Sequence, residues 1–363
     1  MLANRHTTVA AAADVLSTRI SLSILVSRDT AVDFEDLCSL AQYFKRPWPY
    51  LLLDTEERFP HLGQDHRTYA NRHAPLSSDI QLELDAASMM LDAAVDLFPD
   101  ESYSVPTQRL SLEMEPPIAA ATLRSWLGVS EEAQIGTTDE YAALRLWVEA
   151  LHRRCVYVSQ RRLRGGTIRA FSAVRKDQAV IVVDTGDPPY ARIFSLLHEY
   201  CHLALRSAGL CDLDQASAVE RYCNNVTARI LIPDRLLHDA FAESPFTGVG
   251  AQDDASLQRL SRRLRVSQAV LLIRLREASL ITEDVFSQME MRRRSRTTTS
   301  TSSGGDYYAT AINRVGKRFA QNVFGALSDG RVNEADTAVL LGIGEHLVSA
   351  YRDRLLAVPS ASR

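Results

Sequence analysis

The spacing of apolar residues along the chain predicts mostly helices, with one short run of strands. Apolar side chains recur every three or four positions in most segments, which places them on one face of a helix. Between Cys155 and Asp184 the pattern changes to β-branched runs separated by turn residues, which is typical of strands. We therefore expect a predominantly helical α+β fold with a small sheet. The expected helices cover residues 9–17, 34–44, 81–98, 123–129, 140–153, 192–207, 218–232, 256–264, 267–278 and most of 307–356, and the expected strands 155–158, 167–171 and 179–183.

The helix expected over residues 192–207 contains the pattern His-Glu-x-x-His. His198 and His202 are four residues apart, just over one helical turn, so both imidazoles can reach one metal ion. Glu199 projects roughly 100° further around the helix, where its carboxylate can act as the general base of a zinc peptidase. The alternative is a core helix whose polar residues bind nothing, but burying them without partners is costly.

A catalytic zinc site needs a third protein ligand, and Glu220 is our candidate. It lies near the start of the next amphipathic helix, which ends before Pro233. If that helix reverses direction, Glu220 can lie against the two histidines. Alternatively, Glu220 is a surface carboxylate that pairs with Arg221 or Arg229. Two loop residues compete with it as ligands, Asp212 and Asp214.

These segments resemble the ImmA/IrrE family of zinc metallopeptidases, which are gluzincin-like. The resemblance covers about residues 35–290 and is carried by residues 179–184, 191–203, 219–224 and 228–233, with a repressor-like phrase at 40–53 and His66-Arg67-Thr68 after it. It implies a zincin-like core and a protease that cleaves a helix-turn-helix repressor, which derepresses stress, defence or mobile-element genes. One departure is Cys201, where an aliphatic residue is usual. We interpret it as a small buried residue, and the alternative is a thiol that modulates the site under oxidation.

The predicted site therefore has His198, His202 and Glu220 as ligands of Zn²⁺ and Glu199 as the catalytic base. Mn²⁺ or Fe²⁺ could occupy the same ligands. The sequence does not rank three candidates for stabilising the oxyanion: Arg221, Tyr222 and His238. The small sheet ahead of the motif has two interpretations, which are compatible: an edge strand that holds a substrate peptide, or a cover over the two zinc helices.

The order of these segments predicts five units. They are a degenerate repressor-like helical segment with a linker (1–80), the zinc metallopeptidase domain (81–254), a basic segment resembling a helix-turn-helix (255–291), a Thr/Ser/Gly-rich flexible linker (292–305) and a C-terminal helical module (306–363). We expect the last unit to be a tethered accessory module.

DNA binding is the alternative from another functional class, in which a transcriptional regulator or toxin–antitoxin component uses the peptidase fold as a scaffold or sensor. The formal net charge of −4 and the pI near 6.2 predict no overall attraction to nucleic acid. Residues 8–53 lack a basic recognition surface. The segment from Arg259 to Arg276 carries six arginines, for which a solvated helical face is the commoner explanation. Glu199 also argues for catalysis, because a purely structural zinc site does not need it.

Composition and targeting signals complete the expectations. Five cysteines without a Cys-x-x-Cys pattern favour reduced thiols and a cytoplasmic protein. Neither a signal peptide nor a membrane-spanning run is recognisable, so we expect no membrane partner. The expected partner is a protein substrate, a helix-turn-helix repressor, and the sequence leaves the oligomeric state open.

Overall fold

The computed structural model describes residues 78–106, 110–164, 168–205, 213–246, 248–295 and 306–357. The described part is predominantly helical and contains one small three-stranded sheet, which confirms the predicted α+β class. The helices expected over 9–17 and 34–44 lie outside the described residues. So do Asp212 and the Thr/Ser/Gly-rich stretch 296–305.

The helices follow in chain order, with the sheet after the fourth. Before the sheet lie α1 (Ser78–Leu97), α2 (Pro116–Leu127), α3 (Glu131–Ile135) and α4 (Glu140–His152). After it lie α5 (Pro189–Leu205), α6 (Leu213–Leu231), α7 (Asp234–Glu243), α8 (Ala251–Leu264), α9 (Gln268–Glu277) and α10 (Glu283–Ser295). The C-terminal helices are α11 (Tyr307–Val315), α12 (Lys317–Ser328), α13 (Glu334–Leu341) and α14 (Val348–Ala357), with a 3₁₀ turn at Glu345–Leu347.

The three strands are β1 (Val156–Arg161), β2 (Ala170–Arg175) and β3 (Gln178–Asp184), in the order β1-β3-β2. β3 pairs in parallel with β1 and antiparallel with β2. The predicted turn at Lys176 and Asp177 joins β2 to β3, and Lys176 takes a left-handed φ of 50° there. The prediction for β2 was wrong in position: the strand extends to Arg175, four residues beyond the predicted end at Phe171, because the alternation of more and less buried side chains continues past that residue.

Successive side chains of the strands point to opposite faces of the sheet, and each face has its own core. We call the face that packs against α5 the site face; its buried residues are Val156, Val158, Ala170, Ala179, Ile181 and Val183. We call the opposite face the rear face; its buried residues are Tyr157, Phe171, Ala173, Val180 and Val182. The sheet therefore separates two hydrophobic cores.

The rear face is covered by α1 and by the C-terminal helices, so these helices are packed rather than merely tethered. Phe319 of α12 meets Tyr157 edge-to-face, with ring centroids 5.5 Å apart. At Gly316, between α11 and α12, a Cβ atom would stand 2.3 Å from the carbonyl oxygen of Val158. Only glycine fits such an approach, and its φ of 85° also favours glycine. The expectation of a tethered module was wrong because the apolar faces of these helices find their partner on the sheet. The domain boundaries stay a prediction.

The segment resembling a helix-turn-helix forms α8 and α9, which are joined by a short turn. The second helix is buried on several sides, at Val270, Leu271, Leu272 and Leu275. Such burial leaves little of α9 to enter a DNA groove. None of the described helices is both long and apolar enough to cross a membrane.

Candidate metal centre

The helix α5 places the His-Glu-x-x-His residues in the interior. It begins at Pro189, which fits the first turn because proline has no N–H to leave unpaired there. His198 is fully buried, and His202 is 7% exposed. Their Nε2 atoms are 3.0 Å apart, so both rings converge on one point as the four-residue spacing predicted.

Helix α6 brings Glu220 to the same point. One carboxylate oxygen of Glu220 lies 3.3 Å from Nε2 of His198, and the other lies 3.0 Å from Nε2 of His202. The ligand atoms of the three residues all lie within 4.8 Å of one another. Two imidazoles and one carboxylate form a donor set typical of catalytic zinc. These side chains therefore fit a divalent metal, and their ligand roles stay predictions.

The electrostatics of this cluster are those of strongly coupled groups. Burial disfavours the charged form of His202, but the hydrogen bond with Glu220 and the nearby carboxylates outweigh it and raise its pKa to about 9. Burial likewise raises the pKa of Glu220, but the two histidines lower it further, well below the ordinary range of a glutamate. Glu220 is therefore a carboxylate. A metal ion that binds here takes the place of a proton.

Glu199 lies beside the cluster rather than in it. It is 1% exposed, and its Oε2 accepts a hydrogen bond from the Ser172 hydroxyl at 2.9 Å. Ser172 is on β2, at the edge of the sheet. Ser172 was not among the predicted site residues because the predicted strand stopped at Phe171.

The sequence also offered other candidates, namely a surface partner for Glu220, residues for stabilising the oxyanion, and two alternative ligands. Arg229 contacts Asn225 and Glu277 rather than Glu220, so it offers no surface partner that would explain Glu220. The Tyr222 hydroxyl is buried without a hydrogen-bond partner, and burial together with nearby thiols raises its pKa to about 12. Arg221 and His238 are exposed. The structure therefore assigns no oxyanion role to these three residues, and Asp214 and Asp212 lie outside what it describes at the side-chain level.

Cys201 is fully buried, as expected for a small core residue. It lies against the thiol of Cys223 on α6, and burial raises the pKa of Cys223 well above its ordinary value. The two thiols are thus part of the contact between the helices that carry the three candidate ligands.

The arginine-rich segment is held largely by internal contacts. Arg263 pairs with Glu243, Arg265 donates to the carbonyl of Thr137, and the Arg276 guanidinium lies 4.3 Å from the centre of the Phe286 ring. Arg274 is fully buried and contacts Asp234, Glu277 and the Ile232 carbonyl. These contacts explain much of the predicted basic patch as structural.

The model of the IrrE N-terminal-like domain, the M78 peptidase family, matches residues 153–276, from the end of α4 to α9. This segment is similar to the IrrE N-terminal-like domain. The match covers about a third of the chain and includes all four predicted site residues. It confirms the family resemblance and supports a metallopeptidase-type role for the domain. No curated protein matches the chain.

Proposed function

We propose that the protein is a zinc-dependent endopeptidase that cleaves a helix-turn-helix repressor. The observation that carries the proposal is the pairing of a His₂Glu cluster with a separate buried carboxylate, Glu199, beside it. A structural metal site is closed by its ligands and needs no adjacent base. The match to the IrrE N-terminal-like domain supports the peptidase part. The repressor as substrate rests on the family resemblance.

In the proposed reaction His198, His202 and Glu220 hold the metal. Bound Zn²⁺ supplies a Lewis acid that polarises the scissile carbonyl and lowers the pKa of the attacking water. Glu199 accepts a proton from that water as the oxygen attacks the carbonyl carbon. The carboxylic acid then donates the proton to the departing amine when the C–N bond breaks.

The open edge of the sheet supports a peptide as substrate. The Asp184 N–H donates to the Arg169 carbonyl, so this opposing pair is a hydrogen-bonded pair of the β2–β3 ladder. Every second residue along β2 then directs its backbone N–H and C=O away from β3, namely Ala170, Ser172 and Val174. Among the described residues no strand pairs with this edge. An extended peptide could add to it by backbone hydrogen bonds next to Glu199.

The experiment is incubation of the purified protein with the repressor encoded beside its gene. We expect a discrete cut that disappears with a chelator and returns with Zn²⁺. A Glu199→Gln variant treated identically separates this cut from that of a contaminating protease. Absence of a metal-dependent cut in any repressor encoded nearby would contradict the proposed substrate, and hydrolysis of no peptide at all would contradict the peptidase.

A further inference from the structure

The strand β2 places Ser172 between the open sheet edge and Glu199. The backbone of Ser172 belongs to the alternating set that faces away from β3. Its side chain points to the site face, because the neighbours Phe171 and Ala173 are buried in the rear core. Ser172 is therefore the residue of β2 whose backbone borders the free edge while its side chain contacts the candidate base.

The contact itself is a hydrogen bond between a hydroxyl and a carboxylate. The Ser172 Oγ donates to Oε2 of Glu199 at 2.9 Å, within the normal range for such bonds. Bonds to an ionised acceptor are stronger than neutral ones. Glutamate has three side-chain torsions, and a directed donor from another element restricts them. A rigid strand is a firmer support for this donor than a loop.

We propose that Ser172 is a positioning residue that holds the Glu199 carboxylate in the orientation needed for proton transfer. The inference rests on the proposed function, because it gives Glu199 a reaction to perform. It also links two parts of that reaction. A peptide paired with the edge would bind the backbone of Ser172, while the hydroxyl of the same residue fixes the base.

A simpler explanation is that the hydroxyl only satisfies a buried carboxylate and contributes to stability. The two explanations differ in what a Ser172→Ala variant changes. The substitution removes Oγ but keeps the backbone groups, so edge pairing and KM should be unaffected. A positioning role predicts that kcat falls about ten- to a hundredfold, the loss typical of groups that support catalytic residues.

The experiment compares three zinc-loaded variants with the wild type. Ser172→Ala removes the donor, and Ser172→Thr retains it in a residue that strands accept. The matched control is Ser159→Ala: Ser159 lies on β1, is 1% exposed, and its hydroxyl donates to the carbonyl of Arg314 on the rear side. We measure the zinc stoichiometry of each protein and its kcat and KM with the intact repressor as substrate. Crystal structures give the Glu199 torsions.

We expect full zinc stoichiometry in all proteins, a lower kcat with unchanged KM only in Ser172→Ala, recovery in Ser172→Thr, and a changed Glu199 rotamer in Ser172→Ala. A kcat within about twofold of the wild type in Ser172→Ala would overturn the inference, because positioned groups contribute more than that. If the wild type cleaves nothing, the proposed function fails separately. An unchanged Glu199 rotamer in the Ser172→Ala crystal would in that case still overturn the inference.

Discussion

The two faces of the sheet differ in how their contacts are distributed along the chain. On the site face, the residues proposed for chemistry lie on two consecutive helices, α5 and α6, within 23 residues of sequence from His198 to Glu220. On the rear face, the contacts join distant segments. Arg318 of α12, for example, forms an ion pair with Glu101 at 2.8 Å across 217 residues of chain. The site is local, whereas its support is assembled from both ends of the described chain.

The polar groups of the two faces also differ: those near the rear face stabilise the fold, whereas those at the site are proposed to carry out chemistry. Near the rear face, Arg318 donates to the His152 carbonyl, and Asn322 donates to Glu101 at 2.8 Å and to the Tyr157 hydroxyl. Each of these two donors has acceptors within the protein, which is the arrangement of a structural network. At the site, by contrast, two histidines and two glutamates crowd together. Changes on the site face should therefore alter chemistry with little loss of stability, and changes on the rear face should do the reverse.

The largest expected effect is on the site face. Glu199→Gln keeps the size of the side chain and an acceptor oxygen for Ser172 but removes its basicity. Hydrolysis of the repressor should fall by about 10² or more. Zinc stoichiometry and the denaturant midpoint should match those of the wild type. Retained proteolysis would exclude Glu199 as the base, and a large loss of stability would break the contrast between the faces.

The next effect concerns metal affinity. Glu220→Ala removes one of three ligands, so affinity for Zn²⁺ should fall about ten- to a hundredfold or more, since even supporting residues cost that much. Competition with a chromogenic chelator measures it. The matched control is Glu243→Ala, another helical carboxylate, which pairs with Arg263 on the surface. Equal zinc affinity in Glu220→Ala and the wild type would remove Glu220 from the ligands.

The sequence predicts the site face better than the rear face, because the candidate site residues are close together in sequence whereas the rear-face contacts join distant segments. The helical period alone converts the spacing of His198 and His202 into a shared face, and α6 needed only to reverse for Glu220 to join them. Ser172 was not predictable in the same way. Its contact with Glu199 depends on where β2 ends and on which residues of the strand face the edge. The predicted strand ended at Phe171, four residues before the actual end at Arg175, and therefore excluded Ser172.

The rear face shows the complementary failure. A Thr/Ser/Gly-rich stretch before Asp306 is typical of a flexible linker, and it led us to expect a tethered module. The composition of this stretch indicates a flexible connection but does not predict whether the helices after it pack against the rest of the protein. The packing depends on shape, such as the close approach of Gly316 to Val158, and on pairs such as Arg318 with Glu101. Neither contact can be recognised from residues that are close together in the sequence.

A substitution at Gly316 tests whether that close approach secures the C-terminal helices. Gly316→Ala places a Cβ against the Val158 carbonyl. The matched control is Gly330→Ala, which has a similar positive φ of 73° but no atom within 4 Å of the added Cβ. Both variants incur backbone strain of at least about 1 kcal/mol at a positive φ, and Gly316→Ala incurs more because the ψ of 139° at this position lies outside the left-handed helical region. Gly316→Ala should lose about 2 kcal/mol more in the free energy of unfolding because of overpacking. Denaturant titration measures both, and equal losses would show that the approach is unimportant.

The smallest expected effect is a pH dependence at His152, where the end of α4 meets α12. Burial, with the nearby Arg318 and Lys317, lowers the pKa of His152 to about 3, against about 6.5 in an unfolded chain. Between these two values the unfolded state binds the extra proton, so His152 stabilises the fold above pH 6.5 and this contribution is lost as the pH falls.

From pH 6.5 to 5.5 the wild type should lose about 1 kcal/mol in the free energy of unfolding relative to His152→Gln, which cannot titrate. Denaturant titrations of the two proteins at both pH values measure this difference. All other groups titrate in both proteins, so their contribution cancels. Zinc affinity per folded molecule should be the same in both proteins. A stability difference that does not change with pH would mean that His152 is not held neutral by its surroundings, and a change in zinc affinity would mean that the rear side acts on the site as well as supporting it.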